Sequence, residues 1–396
     1  MATFSAGFLG CKVSHADAQA VLERLLADGH TAQEGGADIA VLNTCCVTHE
    51  AISKSRKAAS RLARTHDRVY VTGCGASLAG SAFAGLPDNV VVIAKRSEET
   101  PEVVAGDVGA IACVQAEARL DRVRAFVKVQ DGCSFSCSFC VIPLVRGASR
   151  SRPFEAVLAE VRRRVEQGHK EVVLTGINLG CYRDRVAGYK LPRLVREVGA
   201  VPGLARLRLS SIEVNHHDAE LAAALRETPI VAKHLHVPLQ SGDDDVLRAM
   251  GRRYQAATFL RRLELVPDFN VTTDVIVGFP AEDESAFRRT LSVVANGGIT
   301  KVHAFPYSPR PGTRTAGDDA VPKAVKKERS ARLRDLSRQQ SLRRWREKIG
   351  RPDVVLVDRP GLGYGDDYSP WLIDAPVGEL VAVRGAAVTE EGILAA

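Results

Sequence analysis

The sequence has few aromatic side chains, 5% of its 396 residues, so platforms for base stacking are scarce. It has no apolar run approaching the ~20 residues of a membrane-spanning helix, which excludes a helical membrane anchor. Its opening segment, MATFSAGFLGCKVSHAD, has neither a basic start nor a long apolar core. A secretory signal is therefore not expected, and the expected location is cytoplasmic. Internal repeats and long low-complexity tracts are also missing. Bulk disorder is excluded by composition, with 45% hydrophobic and 26% charged residues and a mean hydropathy of −0.06. The length corresponds to two or three domains at ~100–200 residues each.

Acidic residues are in the minority, 47 against 54 Lys and Arg, giving a net charge of +7 and a pI near 9.0. A basic balance suits nucleic-acid binding without specifying it. The nine cysteines are more informative. An odd count in a reducing compartment argues against a disulfide framework, and clustered thiols there serve as metal ligands or redox groups.

Residues 1–115 alternate strand and helix patterns. Phe4–Gly10, Asp38–Asn43 and Arg68–Gly73 read as strands. Ser14–Asp28, with Ser14 as N-cap and Gly29 as stop, and Thr48–Thr65 read as helices. The order predicts a small parallel α/β domain. Cys11, Cys45 and Cys74 each follow a strand's carboxyl end, where open parallel sheets place their ligand sites. Together they suggest a metal site; singly, each reads equally as a small buried apolar residue. Cys46 adjoins Cys45 and competes with it as a ligand. Cys113 falls in a linker and reads as structural.

Residues 122–345 carry six strand–helix units, which predict a partial TIM-like barrel. The strands are Phe126–Asp131, Glu171–Gly176, Arg206–Ile212, His234–Gln240, Val271–Gly278 and Lys301–Tyr307. The chemistry of such barrels sits at the strands' carboxyl ends. Lys323–Lys348 reads as an arginine-rich helix. Residues 350–396 carry short β-like runs broken by Gly, Pro and Asp, which predict a small all-β module.

Cys133, Cys137 and Cys140 stand in QDGCSFSCSFCVIP after the first barrel strand. Three thiolates at C-x3-C-x2-C spacing can hold three irons of a [4Fe–4S] cluster and leave the fourth open. A structural zinc site normally needs four ligands, and no fourth Cys or His stands at finger spacing. Zinc or a redox dithiol remains the alternative at this level.

The motif resembles that of the radical S-adenosylmethionine (SAM) enzymes, and nearly the whole chain is similar to the methylthiotransferases among them. The resemblance rests on GFLGCKVS, VLNTCCVTHEAISKSR, VTGC, VKVQDGCSFSCSFCVIPLVRGASRSR, LTGIN, RLSSIE, HLHVPLQSG, DVIVGFP and FPYSPRPGT. It implies an N-terminal methylthiotransferase α/β domain, a radical-SAM barrel and a C-terminal TRAM-like domain. QDGC, the NTC-x-VT-x-EA-x3-SR stretch and RLSSIE are most like the branch acting on N6-threonylcarbamoyladenosine (t6A) at tRNA position 37. The usual GFPGE reads GFPAE here, which puts the local loop geometry in doubt.

The resemblance further implies two [4Fe–4S] clusters, one on Cys133, Cys137 and Cys140 and one on Cys11, Cys45 and Cys74. Phe139, Thr175, Gly176, Ser210, Glu213 and Gln240 would meet SAM, although each reads equally as a packed or satisfied polar group. Arg146, Arg150 and Arg152 would meet the tRNA anticodon loop, salt bridges at the barrel rim being the alternative. Tyr364, Tyr368 and Trp371 are the tail's stacking candidates, and each reads equally as a packed ring. The expected partners are tRNA, an electron donor such as a flavodoxin or ferredoxin, and a sulfur donor. Competing readings are methylthiolation of N6-isopentenyladenosine 37, methylthiolation of a ribosomal-protein aspartate, and a non-catalytic iron–sulfur RNA-binding protein.

Overall fold

The computed structural model describes residues 2–33, 35–78, 82–94, 99–109 and 123–396. Cys113 lies outside them. The chain divides into two compact units.

The first unit comprises Met1–Arg122, Asp131–Ser149 and Arg310–Ala316. Its strands are β1 (Thr3–Phe8), β2 (Thr31–Ala32), β3 (Ile39–Thr44), β4 (Arg68–Thr72) and β5 (Val90–Val92). They form one parallel sheet in the order β2-β1-β3-β4-β5. The apolar run of β3 is buried at every position, as a central parallel strand covered on both faces requires. Val21, Leu22 and Leu25 of helix Lys12–Ala27 pack with Phe4, Val41 and Tyr70. Leu42, Val71 and Ala59 form a second layer with Phe83. Helix His49–Leu62 starts where expected, with Thr48 Oγ1 accepting from the Ala51 amide at 3.1 Å. Helix Lys12–Ala27 starts earlier than expected: Cys11 occupies the cap position, and Ser14 is buried inside the first turn.

The second unit comprises Val123–Gln130, Arg150–Pro309 and Gly317–Ala396. Its barrel strands are β6 (Arg124–Asp131), β7 (Arg150–Ser151), β8 (Glu171–Gly176), β9 (Arg206–Leu209), β10 (His234–His236), β11 (Asn270–Val277) and β12 (Lys301–Pro306). One sheet runs β7-β6-β8-β9 and another β10-β11-β12. Parallel bridges Leu207–Val231 and Ser211–His236 join them into the open, six-stranded array that the sequence predicts, with β7 as a short addition. Alternate residues, among them Val127, Val129, Val172, Leu174, Leu207 and Leu235, pack in one core with the surrounding helices. The residues between them point to the other face.

In the GFPAE loop, Gly278 has φ 72°, and a Cβ there would come 2.4 Å from Lys326. Glu282 Oε1 accepts from the Gly278 amide at 2.7 Å and pairs with buried Arg329 at 2.7 Å. Ala281 takes no left-handed backbone, so the departure from GFPGE leaves this loop geometry intact.

The tail strands Pro352–Arg359, Leu362–Tyr364, Pro370–Leu372, Leu380–Val388 and Ile393–Ala395 (β13–β17) close a five-stranded barrel around Val355, Trp371, Val383 and Ile393. It packs on the amino-terminal ends of the larger barrel's strands. Arg206 donates to the carbonyl oxygens of Val354 and Tyr364, and Arg208 to those of Gly365 and Asp366. Asn270 donates to that of Asp367.

Candidate functional site

Cys11, Cys45 and Cys74 follow β1, β3 and β4, three adjacent strands of the first unit's sheet. The strand ends are tied together: the Leu9 amide donates to Asn43 O at 2.8 Å, and Thr44 Oγ1 donates to Thr72 O at 2.6 Å. The turn into Cys74 requires glycine at position 73, whose φ is 84° and whose Cβ would meet Asn43 Oδ1 at 2.4 Å. A Cβ on Gly10 would lie 3.4 Å from Cys45 Cβ, which places Cys45 beside the segment carrying Cys11.

The thiols feel one another. Burial pushes Cys45 up to about 11, with Cys74 and Cys11 acting in the same direction. A hydrogen bond from Cys46, joined by the Arg146 guanidinium, holds Cys74 down at about 7 against its burial. The Cys46 thiol is raised, first by that bond and then by burial. Cys46 is fully buried among Cys74, Leu78, Val141 and Val145. Cys45 is half-exposed and its thiol feels both Cys11 and Cys74, whereas Cys46 is bonded to Cys74 inside the apolar cluster.

The loop bearing Cys133, Cys137 and Cys140 belongs to the same unit, and all three thiols are half-buried. Gly132, at φ 69°, lets the loop pass the 147–148 backbone, where a Cβ would come 2.2 Å from Ala148 O. The Cys133 amide donates to Gly147 O at 3.0 Å, and the Cys140 amide to Cys137 O at 3.2 Å. The Phe135 amide points at Cys133 Sγ at 3.5 Å. Phe139 is half-buried on the same loop. Segment 310–316 clamps this loop: Arg314 Nη2 donates to Ser136 O at 2.6 Å, and Thr315 Oγ1 to Ser138 O at 3.1 Å. The sequence reading assigned no role to Arg314 or Thr315. They directly follow FPYSPRPGT, far along the chain from the loop.

In the second unit, Thr175, Gly176 and Ser210 come together at the ends of β8 and β9. The Gly176 amide donates to Ser210 Oγ at 3.1 Å. Thr175 Oγ1 and Asn178 Oδ1 are buried without a hydrogen-bond partner, polar atoms that suit a ligand. Gln240 holds a left-handed backbone, φ 65°, with its amide on Asp274 O. Glu213 is buried, paired with Arg252 at 3.2 Å, and accepts from the Asn215 amide at 3.0 Å. On neighbouring strands β10–β12, His236, Asp274 and His303 bring their ligating atoms within 4.8 Å of one another. Strand register creates that trio, and the sequence alone does not show it.

The expected RNA contact of Arg146 is corrected. This guanidinium is buried, donating to Cys74 Sγ at 2.9 Å, Asp17 at 2.9 Å and Asp131 at 3.0 Å. Two carboxylates and a thiol already neutralise it, so it is not available to phosphate. Arg152 donates to Glu160 at 2.5 Å and to Lys128 O at 2.8 Å. Its side chain stays 36% exposed, and Arg150 is half-exposed. The tail aromatics are likewise packed. Trp371 is fully buried, and Tyr368 stacks on His234 while accepting from Arg124 at 2.7 Å. The Arg124 guanidinium lies 4.9 Å from the Tyr364 ring.

Residues 127–294 match the Radical SAM superfamily, and residues 3–94 match the uncharacterized protein family UPF0004. The chain is 34% identical to the threonylcarbamoyladenosine tRNA methylthiotransferase MtaB of Thermotoga maritima, over 97% of this chain and 94% of that one. It is 35% identical to the MtaB of Bacillus subtilis, over 86% and 81%. Among solved structures, the radical SAM methyltransferase TsrM of Kitasatospora setae shares the fold with a TM-score of 0.60 at 14% identity, over 80% of this chain and 75% of that one. Shared identity over nearly the full length, carried by both matched regions, places the chain in the MtaB group of the radical-SAM methylthiotransferase family.

Proposed function

We propose that the protein inserts a methylthio group at C2 of t6A37 in tRNA. The observation that carries this reading is the full-length likeness to two MtaB enzymes in a chain that keeps both cysteine triads. C2 of an adenine is an unactivated aromatic carbon, beyond ordinary acid–base catalysis. A SAM-bound iron–sulfur cluster supplies the radical, and the protein supplies position and exclusion of water.

Cys133, Cys137 and Cys140 hold the SAM-binding [4Fe–4S] cluster. Their loop is braced at Gly147, Ser136 and Ser138, which fixes its shape ahead of ligand binding. Cys11, Cys45 and Cys74 hold a second [4Fe–4S] cluster for sulfur transfer. The fit is supported by their adjacent strand ends and by the depressed Cys74 thiol, since thiolates are the ligands clusters need. Phe139, Thr175, Gly176, Ser210, Glu213 and Gln240 serve the SAM site. Thr175 has the clearest support, its buried hydroxyl being unsatisfied, while Ser210 and Glu213 also carry internal bonds. Arg150 and Arg152 are the phosphate contacts of the anticodon loop. Residues 1–115, 122–345 and 350–396 are the methylthiotransferase, barrel and TRAM-like modules. The enzyme works in the cytoplasm with a flavodoxin or ferredoxin and a sulfur donor.

The test is nucleoside mass spectrometry of tRNA from a deletion strain and its complemented counterpart. Loss of the 2-methylthio derivative of t6A, with t6A itself accumulating, is the expected result. Loss of methylthiolated isopentenyladenosine instead would move the chain to another branch.

A further inference from the structure

Arg146 is a charged side chain buried beside a cluster-binding thiol, and nothing in the reaction as described above uses it. Its Nε–H points at Cys74 Sγ at 2.9 Å. Its remaining nitrogens are held by Asp131, at 3.0 and 3.2 Å, and by Asp17, at 2.9 Å. The three side chains are 3–5% exposed. Asp17 lies on the helix that Cys11 caps, and Asp131 stands two residues before Cys133. Two carboxylates hold the planar guanidinium in a fork, so the Nε–H has little freedom to leave the sulfur.

We propose that Arg146 is a positioning residue for the second cluster, whose Nε–H···Sγ bond to Cys74 raises that cluster's reduction potential. The inference rests on the reading that Cys11, Cys45 and Cys74 hold a cluster. Hydrogen bonds to ligand sulfur and nearby charge are principal controls of cluster potential. A cationic donor withdraws electron density from the thiolate and favours the reduced cluster, which carries one more negative charge. The same bond fixes the Cys74 rotamer, while the aspartates keep the guanidinium from turning away. Lysine, a point charge on a flexible stem, replaces the charge but not the fork.

The experiment uses the full chain with Cys133, Cys137 and Cys140 changed to Ala, so that one cluster remains after anaerobic reconstitution with iron and sulfide. An EPR-monitored redox titration reads its midpoint. Arg146→Met is expected to lower the reduction equilibrium constant about tenfold, a fall of about 59 mV for one electron. Arg146→Lys recovers part of the shift. Because Arg146→Met leaves two buried aspartates without their arginine and can block folding, the combined variant D17N/R146M, which keeps the group's net charge at −1 while removing the bond, is measured in parallel and is expected to show the same downward shift; Asp131 keeps the Gly132 amide. In the complementary C11A/C45A/C74A background, which keeps the other cluster, Arg146→Met moves the midpoint less. An unchanged midpoint in the Met, Lys and combined variants, or an equal shift in both backgrounds, overturns the role of the bond. Absence of iron from the C133A/C137A/C140A protein with Arg146 intact removes the second-cluster reading itself, and this inference with it.

Discussion

Arg208 Nε lies 2.9 Å from Glu171 Oε1 where solvent reaches neither side chain. Arg124 and Arg206 approach the same carboxylate at 3.3 and 3.4 Å. One buried anion therefore serves three buried cations at the base of the larger barrel. Removing one partner of such a group leaves uncompensated charge, at a cost of roughly 3–5 kcal/mol. Glu171→Gln is expected to lower the free energy of unfolding in urea by that order. A loss under about 1 kcal/mol would mean that the tail's groups, its carbonyl oxygens with Asp358 and Tyr368, satisfy the guanidinium groups without Glu171.

The two cysteine sets make separable predictions. C133A/C137A/C140A should keep about half the iron, one cluster of two, and lose reductive cleavage of SAM. C11A/C45A/C74A should keep SAM cleavage and lose methylthiolation. Single changes separate the neighbours: Cys45→Ala loses iron, whereas Cys46→Ala keeps it. Iron analysis of all four proteins decides the ligand sets.

His217 provides a pH signature in the second unit. It is fully buried, both ring nitrogens lack partners, and burial assisted by Arg262 lowers it to about 4. A histidine depressed in the folded state contributes stability above the unfolded value near 6.5, and that stability is lost as pH falls from there toward 4. The loss is expected to reach about 3 kcal/mol at full protonation. Urea unfolding from pH 7.5 down to pH 4 should show this slope in the native protein and a shallower one in His217→Leu. Equal slopes would remove His217 as the cause.

Salt dependence tests the RNA contacts. Each phosphate contact adds about 0.7–0.9 to the slope of log affinity against log salt. Arg150→Ala with Arg152→Ala should flatten the slope for tRNA. An unchanged slope would move the interface elsewhere. Arg146→Lys should leave the slope alone, since its guanidinium is already neutralised by Asp17 and Asp131.

Strand positions were legible because they rest on local pattern, apolar runs and turn glycines, and cysteine position likewise let both candidate triads be named from the sequence. Helix Leu191–Gly199 supplies the helix of the unit that begins with β8, with Pro192 in its first turn. Ser14 resembled a cap, but Cys11 holds that position. Arg146 was misread because an arginine's direction depends on partners far away in sequence, here Asp17 and Cys74. Of the tail's stacking candidates, Trp371 is buried by closure of the tail barrel, and Tyr368 packs on Arg124 and His234.

The tail's placement also orders events during synthesis. Arg206 and Arg208 leave the ribosome well before the carbonyl groups of Val354, Gly365 and Asp366 that accept their hydrogen bonds. Domains fold amino-terminal first as the chain emerges, at about 5–20 residues per second. The barrel base therefore waits, wet and unfinished, until the last segment arrives. A chain stopped early, before residue 350, keeps every cysteine of both triads yet leaves these guanidinium groups without their acceptors. Completion of translation thereby becomes a condition for a finished barrel base.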